Sequence, residues 1–287
     1  MSSVSGNFSG RFLPVLLIVI AMVSVQSGAS LAKMLFPLVG AEGATSLRLM
    51  VGATALMLFF RPWRSRWSAG NLAPLLVYGV VLGAMNFLFY RSILTLPLGV
   101  AVAFEFTGPL VVAILGSRRL IDFVWIALAM VGLALLLPIG HSLSNIDLTG
   151  AFYALAAGAC WALYIIFGKK SGSKNGAATA AMGTFIGAIC FAPIGIWQNG
   201  MALMTPQVLP LAIGVGILST ALPFSLEMIA LTKIPARTFG TLMSLEPVVA
   251  AFSGLLIIGE RLTIQQWTAV LAIMIASVGA TLTIKQK

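Results

Sequence analysis

Ten apolar runs follow one another along this chain, each close to bilayer-crossing length and joined to the next by a short polar connection. A helix needs about 20 mostly apolar residues to cross the hydrocarbon layer. The runs fall at 12–32, 43–60, 72–91, 97–116, 122–139, 148–168, 178–197, 208–230, 236–258 and 264–284. Turn and charged residues mark the connections, as in Arg61-Pro62-Trp63-Arg64-Ser65-Arg66, Ser117-Arg118-Arg119 and Lys169-Lys170-Ser171-Gly172. Charged residues make up only 8% of the 287 positions, against about 25% in a soluble domain. A water-soluble globule could not cover its surface with so few. The expected fold class is therefore an all-α membrane protein with ten transmembrane helices.

The net charge of +10 does not point to nucleic acid, because the Lys and Arg residues are scattered in twos and threes between apolar runs. That distribution is the mark of cytoplasmic loops. With ten spans both termini share a side. That side receives Arg11, Arg61, Arg64, Arg66, Arg118, Arg119, Lys169, Lys170, Lys174, Lys233, Arg237, Lys285 and Lys287. The opposite side receives Lys33, Arg91 and Arg261, and Arg48 lies within a span. Thirteen against three places both termini on the cytoplasmic side of the membrane. Arg11 ahead of an apolar run resembles a signal peptide. That run, however, continues through Gln26-Ser27-Gly28-Ala29-Ser30 to Lys33, so it is read as a retained first span. Cys160 and Cys190 both lie inside apolar runs, which argues against a disulfide framework.

The two halves of the chain echo each other. Pro97 and Pro109 are repeated as Pro235 and Pro247, 138 residues further on. Leu94-Thr95-Leu96-Pro97 parallels Thr232-Lys233-Ile234-Pro235, and Pro109-Leu110-Val111-Val112-Ala113 parallels Pro247-Val248-Val249-Ala250-Ala251. Trp125 and Trp267 sit similarly in the following helices. The expected organisation is a single membrane domain of two five-helix repeats, 11–140 and 147–285. Five is odd, so the second copy enters from the opposite face, giving an inverted-topology repeat.

Specific stretches add a family resemblance. They are Gln26-Ser27-Gly28-Ala29-Ser30-Leu31-Ala32-Lys33 through Leu47-Arg48-Leu49, and Glu105-Phe106-Thr107-Gly108-Pro109-Leu110. The most specific runs from Ser219-Thr220-Ala221-Leu222-Pro223 through Leu226-Glu227-Met228-Ile229-Ala230-Leu231-Thr232 to Ser244-Leu245-Glu246-Pro247. Over about residues 11–285 the chain resembles the bacterial threonine/homoserine exporters, in the ten-helix EamA branch of the drug/metabolite transporter superfamily. The resemblance implies efflux of threonine and homoserine from cytoplasm to periplasm. It carries over no site residues.

Candidate site residues come from polarity inside the spans. An ionised side chain at the bilayer centre costs about 2.5–3.5 kcal/mol on insertion scales, so one that persists faces a cavity, a partner or a substrate. Those within spans are Arg48, Glu105, Glu227 and Glu246, and Gln26, Asn86, Tyr90 and Tyr164 add uncharged polar groups. A zwitterionic amino acid needs a carboxylate for its ammonium and an arginine, or free N–H groups, for its carboxylate. Glu105 leads, because Pro109 leaves the carbonyl of Glu105 unpaired. Pro109 and Pro247 are the expected helix kinks. Glu246 is a second candidate or else a kink anchor. Glu227 is expected to pair with Arg48, Arg91 or Lys233. Arg48, placed in the outer third of its span, either snorkels, pairs with a glutamate or binds the substrate carboxylate. Gln26, Asn86, Tyr90 and Tyr164 either line the cavity or make interhelical hydrogen bonds.

Other features read as structural. Gly79–Gly83 and Gly183–Gly187 suit helix packing, Glu260-Arg261 suits an exposed loop, and His141 suits a solvated periplasmic one. Leu163 stands where a nucleotide-binding loop ending in Gly168-Lys169 would need its first glycine. No cofactor, metal or enzymatic constellation is expected. What remains is secondary transport by alternating access, with proton exchange through Glu105 or Glu246 as a candidate drive. Export of another metabolite or drug is the alternative. So is a non-transporting sensor or scaffold, although only Ile284-Lys285-Gln286-Lys287 follows the last run where an output domain would be expected. The expected partners are a small amino acid, lipid and protons. No oligomeric state is read from the chain.

Overall fold

The computed structural model describes residues 6–65, 67–115, 120–136, 147–171, 176–231 and 242–283. Among these every regular element is helical. The helices are α1 (Gly6–Phe60), α2 (Ala69–Ser92), α3 (Leu98–Glu105), α4 (Thr107–Leu115), α5 (Leu120–Leu136), α6 (Leu148–Ser171) and α7 (Gly176–Asn199). They continue as α8 (Val208–Gly216), α9 (Leu222–Leu231), α10 (Glu246–Ile258) and α11 (Ile264–Thr283). A π-helical turn, Ile217–Ala221, joins α8 to α9 without interrupting the rod.

Among the described residues five helical stretches are long and apolar enough to cross a bilayer: Leu13–Phe60, Leu72–Ser92, Leu148–Gly168, Gly176–Met204 and Val208–Glu227. The surface agrees with that solvent. Trp197, Ile264, Leu256 and Phe59 are 92%, 85%, 79% and 72% exposed, while Arg48, Glu105 and Glu246 are buried. Water would penalise this arrangement on both counts, whereas lipid accepts the outer residues at no cost.

Two expectations about the runs are corrected in detail. Residues 33–42 were expected to form a connection, yet they are helical on either side of one residue, Gly40. Leu35, Val39 and Ala41 are buried there, so packing extends the helix beyond the apolar span. Gly40 has φ 62 and ψ 177, a region open in practice only to glycine, and it divides α1 into an arm before and an arm after the break. The run 97–116, expected as a single helix, is broken at Phe106 into α3 and α4.

The first arm of α1 is the spine of one side of the bundle. Together the two arms touch α7, α8, the π turn, α9 and α10. α2 packs on α6 and α7, α5 on α11, and α3 between α6 and α10. Every residue of α3 is buried. The main core gathers Leu35, Val39, Leu47, Tyr90, Leu98, Phe104, Ala154, Val215, Ala250 and Ile273 around it. The small-residue stripes pack as expected: a Cβ on Gly83 would stand 2.8 Å from the Cα of Gly187, and one on Gly187 would stand 3.0 Å from the oxygen of Gly79. α2 and α7 thus meet almost backbone to backbone.

Candidate functional site

The site begins with a proline. Pro223 has no N–H, so it cannot bond the carbonyl one turn back, and in a π turn it fails the one before that as well. The two carbonyls concerned are those of Leu218 and Ser219. Both are taken up by α1. Ser24 Oγ donates to the oxygen of Leu218 at 2.6 Å, and Arg48 Nη2 donates to the oxygen of Ser219 at 2.9 Å. Arg48 Nε adds a bond to Thr220 Oγ1 at 3.2 Å. Gly28 and Gly52 make this approach possible, since a Cβ on either would collide with Ser219 or Thr220. Arg48 is thus held by backbone and hydroxyl oxygens rather than by a glutamate, and it is buried rather than snorkelling. Its guanidinium carbon lies 5.2 Å from the centre of the Tyr90 ring, within cation–π range.

A second polar pair lies on the other face of the first arm. Gln26 Nε2 donates to Glu246 Oε1 at 3.0 Å, joining α1 to the first residue of α10. Glu246 Oε2 and Gln26 Oε1 are left buried without a partner. Glu105, at the C-terminal end of α3, interacts electrostatically with both Glu246 and Arg48. Arg48, Gln26, Glu105, Glu246 and Tyr90 therefore make up one polar centre inside the bundle. It has one basic side chain, two carboxylates with a third, Glu227, interacting electrostatically with Glu246, and acceptors that no described residue satisfies.

The remaining candidates are placed differently. Glu227 does not form the expected ion pair with Arg48 or Arg91, because Arg48 serves the π turn and Arg91 pairs with Glu42; Lys233 lies outside the described residues. Asn86 Nδ2 donates to the oxygen of Leu82, one turn back in its own helix, at 2.8 Å. Tyr164 stacks on Tyr78 with ring centres 4.9 Å apart. His141 and Pro235 lie outside the described residues. At the Pro109 kink, a Cβ on Gly158 would stand 2.6 Å from the oxygen of Glu105. The freed carbonyl therefore presses on α6.

One end of the bundle is tied by side chains that the sequence left in loops. Lys33 forms an ion pair with Glu260 Oε1 and donates to the oxygen of Leu96 at 2.9 Å. Glu260 Oε2 accepts the N–H of Leu98, the first residue of α3, at 2.7 Å. Glu260 is therefore a helix cap and half of an ion pair, not the exposed loop residue expected. Nearby, Arg91 pairs with Glu42 and lies over the Tyr153 ring. A surface groove lined by Ala251, Leu255, Glu260, Arg261, Leu262 and Trp267 opens at this end, away from Arg48. Its walls are mostly apolar, and its carboxylate is already engaged, so the buried centre is the better site.

Known proteins resemble this chain along nearly its whole length. Residues 148–282 match the model of the EamA-like transporter family. The chain is 58% identical over 276 residues to the threonine/homoserine exporter RhtA of Salmonella typhimurium (strain SL1344), covering 96% of this chain and 94% of that one. It is 57% identical, with the same coverage, to the threonine/homoserine exporter RhtA of Escherichia coli (strain K12). An uncharacterized transporter, YwfM of Bacillus subtilis (strain 168), is 30% identical over 82% of this chain and 83% of its own. A solved crystal structure with 16% identity superposes with a TM-score of 0.65 over 94% of this chain and 96% of the other, which shows a shared fold. With such identity sustained along nearly its whole length, the chain belongs to the EamA-like transporter family.

Proposed function

We propose that this chain is a secondary transporter that exports small amino acids, threonine and homoserine, from cytoplasm to periplasm. The substrates are those named for its 57–58% identical relatives. The observation that carries the proposal in the structure is the buried polar centre. Glu246 Oε2 and Gln26 Oε1 are unpaired acceptors, suited to a substrate ammonium. Arg48 has Nε and Nη2 engaged, and its positive charge serves the substrate carboxylate. Charge-assisted bonds of this kind are the strong ones in a dry interior.

The transport cycle is alternating access by two inverted five-helix repeats. In this scheme the arms of α1 are two spans, α3 with α4 one, α8 with α9 one, and α10 with the residues before it one. Support comes from the breaks. Phe106 interrupts the helix ahead of Pro109, and a turn at Ser244–Leu245 interrupts it ahead of Pro247, 138 residues apart like the prolines themselves. Both termini are cytoplasmic and the membrane is the inner one. Proton exchange at Glu105 or Glu246 drives export, one charge moving through 100 mV supplying about 2.3 kcal/mol.

Purified protein in proteoliposomes loaded with labelled threonine or homoserine tests the proposal. Wild type releases both, faster with a proton gradient, and Glu105→Gln and Glu246→Gln release neither while still inserting and folding. Wild-type efflux from both variants refutes the role of the polar centre, and equal release of unrelated metabolites refutes the substrate.

A further inference from the structure

Among the described residues four buried polar atoms have no hydrogen-bond partner: Gln26 Oε1, Ser30 Oγ, Tyr90 OH and Glu246 Oε2. Three belong to the centre already described. Ser30 does not, and its state is unusual for this protein. A serine or threonine inside an apolar helix satisfies its hydroxyl by donating to the carbonyl four residues back. Thr45 does so to Ala41, Ser46 to Glu42, Thr184 to Ala180 and Ser219 to Val215. Ser30 is 0% exposed in a continuous helical stretch, with the carbonyl of Gln26 at the same spacing, and it leaves that carbonyl alone. Its hydroxyl is turned instead to something that no described residue supplies.

The position says what that is. Ser30 is one turn from Gln26 on the same helix face, which sets their Cβ atoms about 5–6 Å apart. Gln26 in turn holds Glu246. Three orphan atoms, two of them acceptors fit for an ammonium, thus lie within the reach of a small amino acid. The fourth, Tyr90 OH, belongs to the ring beside Arg48, at the carboxylate end. We infer that Ser30 Oγ bonds the side-chain hydroxyl of the transported amino acid and makes the exporter select hydroxylated substrates over aliphatic ones of the same size. The inference rests on the exporter function proposed above. A site built to bond a hydroxyl rejects the analogue lacking it, because its own polar group is then stranded.

The test compares homoserine with 2-aminobutyrate, which lacks only the terminal hydroxyl, and with norvaline, which replaces the hydroxyl by a methyl. Each competes with labelled threonine in proteoliposomes. Wild type prefers homoserine by at least about tenfold over either, the loss expected for one stranded hydrogen-bonding group. Ser30→Ala brings the ratio close to one, through a raised KM for homoserine with little change for norvaline. Because the hydroxyl is unpartnered in the empty protein, Ser30→Ala also leaves the unliganded stability unchanged or raised. Ser30→Cys, a weaker donor of similar shape, gives an intermediate ratio. A Ser30→Ala protein that keeps the wild-type ratio overturns the inference, and so does one that is destabilised while empty, which would mean a structural partner. Failure of wild type to transport threonine and homoserine at all would instead remove the exporter function.

Discussion

The pairing of Arg48 with the carbonyl freed by Pro223 can be measured by a double-mutant cycle. Arg48→Met removes two hydrogen bonds from a charged donor, each worth about 1.5–3 kcal/mol. It also relieves the burial of a charge, worth about 2.5–3.5 kcal/mol on insertion scales. The difference is a net loss of about 1.5 kcal/mol at mid-range. Most of that loss is the stranded oxygen of Ser219. Pro223→Ala restores an N–H that can reach this oxygen or that of Leu218, so the same Arg48→Met change costs little in the Pro223→Ala background. The expected coupling is at least about 1 kcal/mol, well above the additivity error of about 0.5 kcal/mol for independent sites. Reversible unfolding in mixed micelles, titrated with SDS and followed by circular dichroism, reads all four corners of the cycle. Additive costs would refute the account of why Arg48 sits where it does. Ser24→Ala, whose hydroxyl serves the neighbouring carbonyl, should couple to Pro223 in the same sense.

Other outcomes follow from the packing and the tied end of the bundle. Gly108→Ala places a Cβ 1.8 Å from the oxygen of Gly158, a backbone atom that cannot swing away. It should cost more than the usual 1–3 kcal/mol of about one overpacked methyl, seen as a loss of monodisperse protein after extraction. Lys33→Glu should lower the melting temperature, and adding Glu260→Lys should restore it only in part, since a lysine at 260 cannot accept the N–H of Leu98; full restoration would exclude the capping role. Asp147, outside the spans, has its carboxyl pKa lowered below the ordinary value by the N–H of Gly150, with the Thr95 hydroxyl and the N–H of Thr149 adding to it. A lowered pKa means the cap on α6 is fully present above the ordinary carboxylate range and is lost as pH falls through the lowered value. Hydrogen exchange at Thr149 and Gly150 should therefore quicken only in that acid window beyond the intrinsic rate, and Asp147→Asn should abolish the dependence.

Hydropathy identified an all-helical, apolar chain because membrane solvent makes its demand residue by residue. The duplicated prolines marked the helix breaks at Phe106 and Ser244–Leu245 for the same local reason: a missing N–H is a property of one position. Partnerships were less legible. Arg48 was expected to snorkel, to pair with a glutamate or to bind the substrate carboxylate; its partners are a backbone oxygen and a threonine hydroxyl, and the clue was Pro223, to which the rule used for Pro109 and Pro247 applied equally. Gln26 and Glu246 are 220 residues apart, and nothing local announces that they meet. Ser30 stood inside a stretch singled out for its resemblance. Only the count of satisfied and unsatisfied hydroxyls in three dimensions separates it from its back-bonded neighbours. Glu260 read as loop because its two partners, Lys33 and the N–H of Leu98, come from distant parts of the chain.

That one carboxylate, shared between a lysine on the spine and the leading amide of the fully enclosed α3, acts as a coincidence switch. Losing either bond leaves the other tethering the loop in place, so this mouth of the bundle stays closed until both are broken.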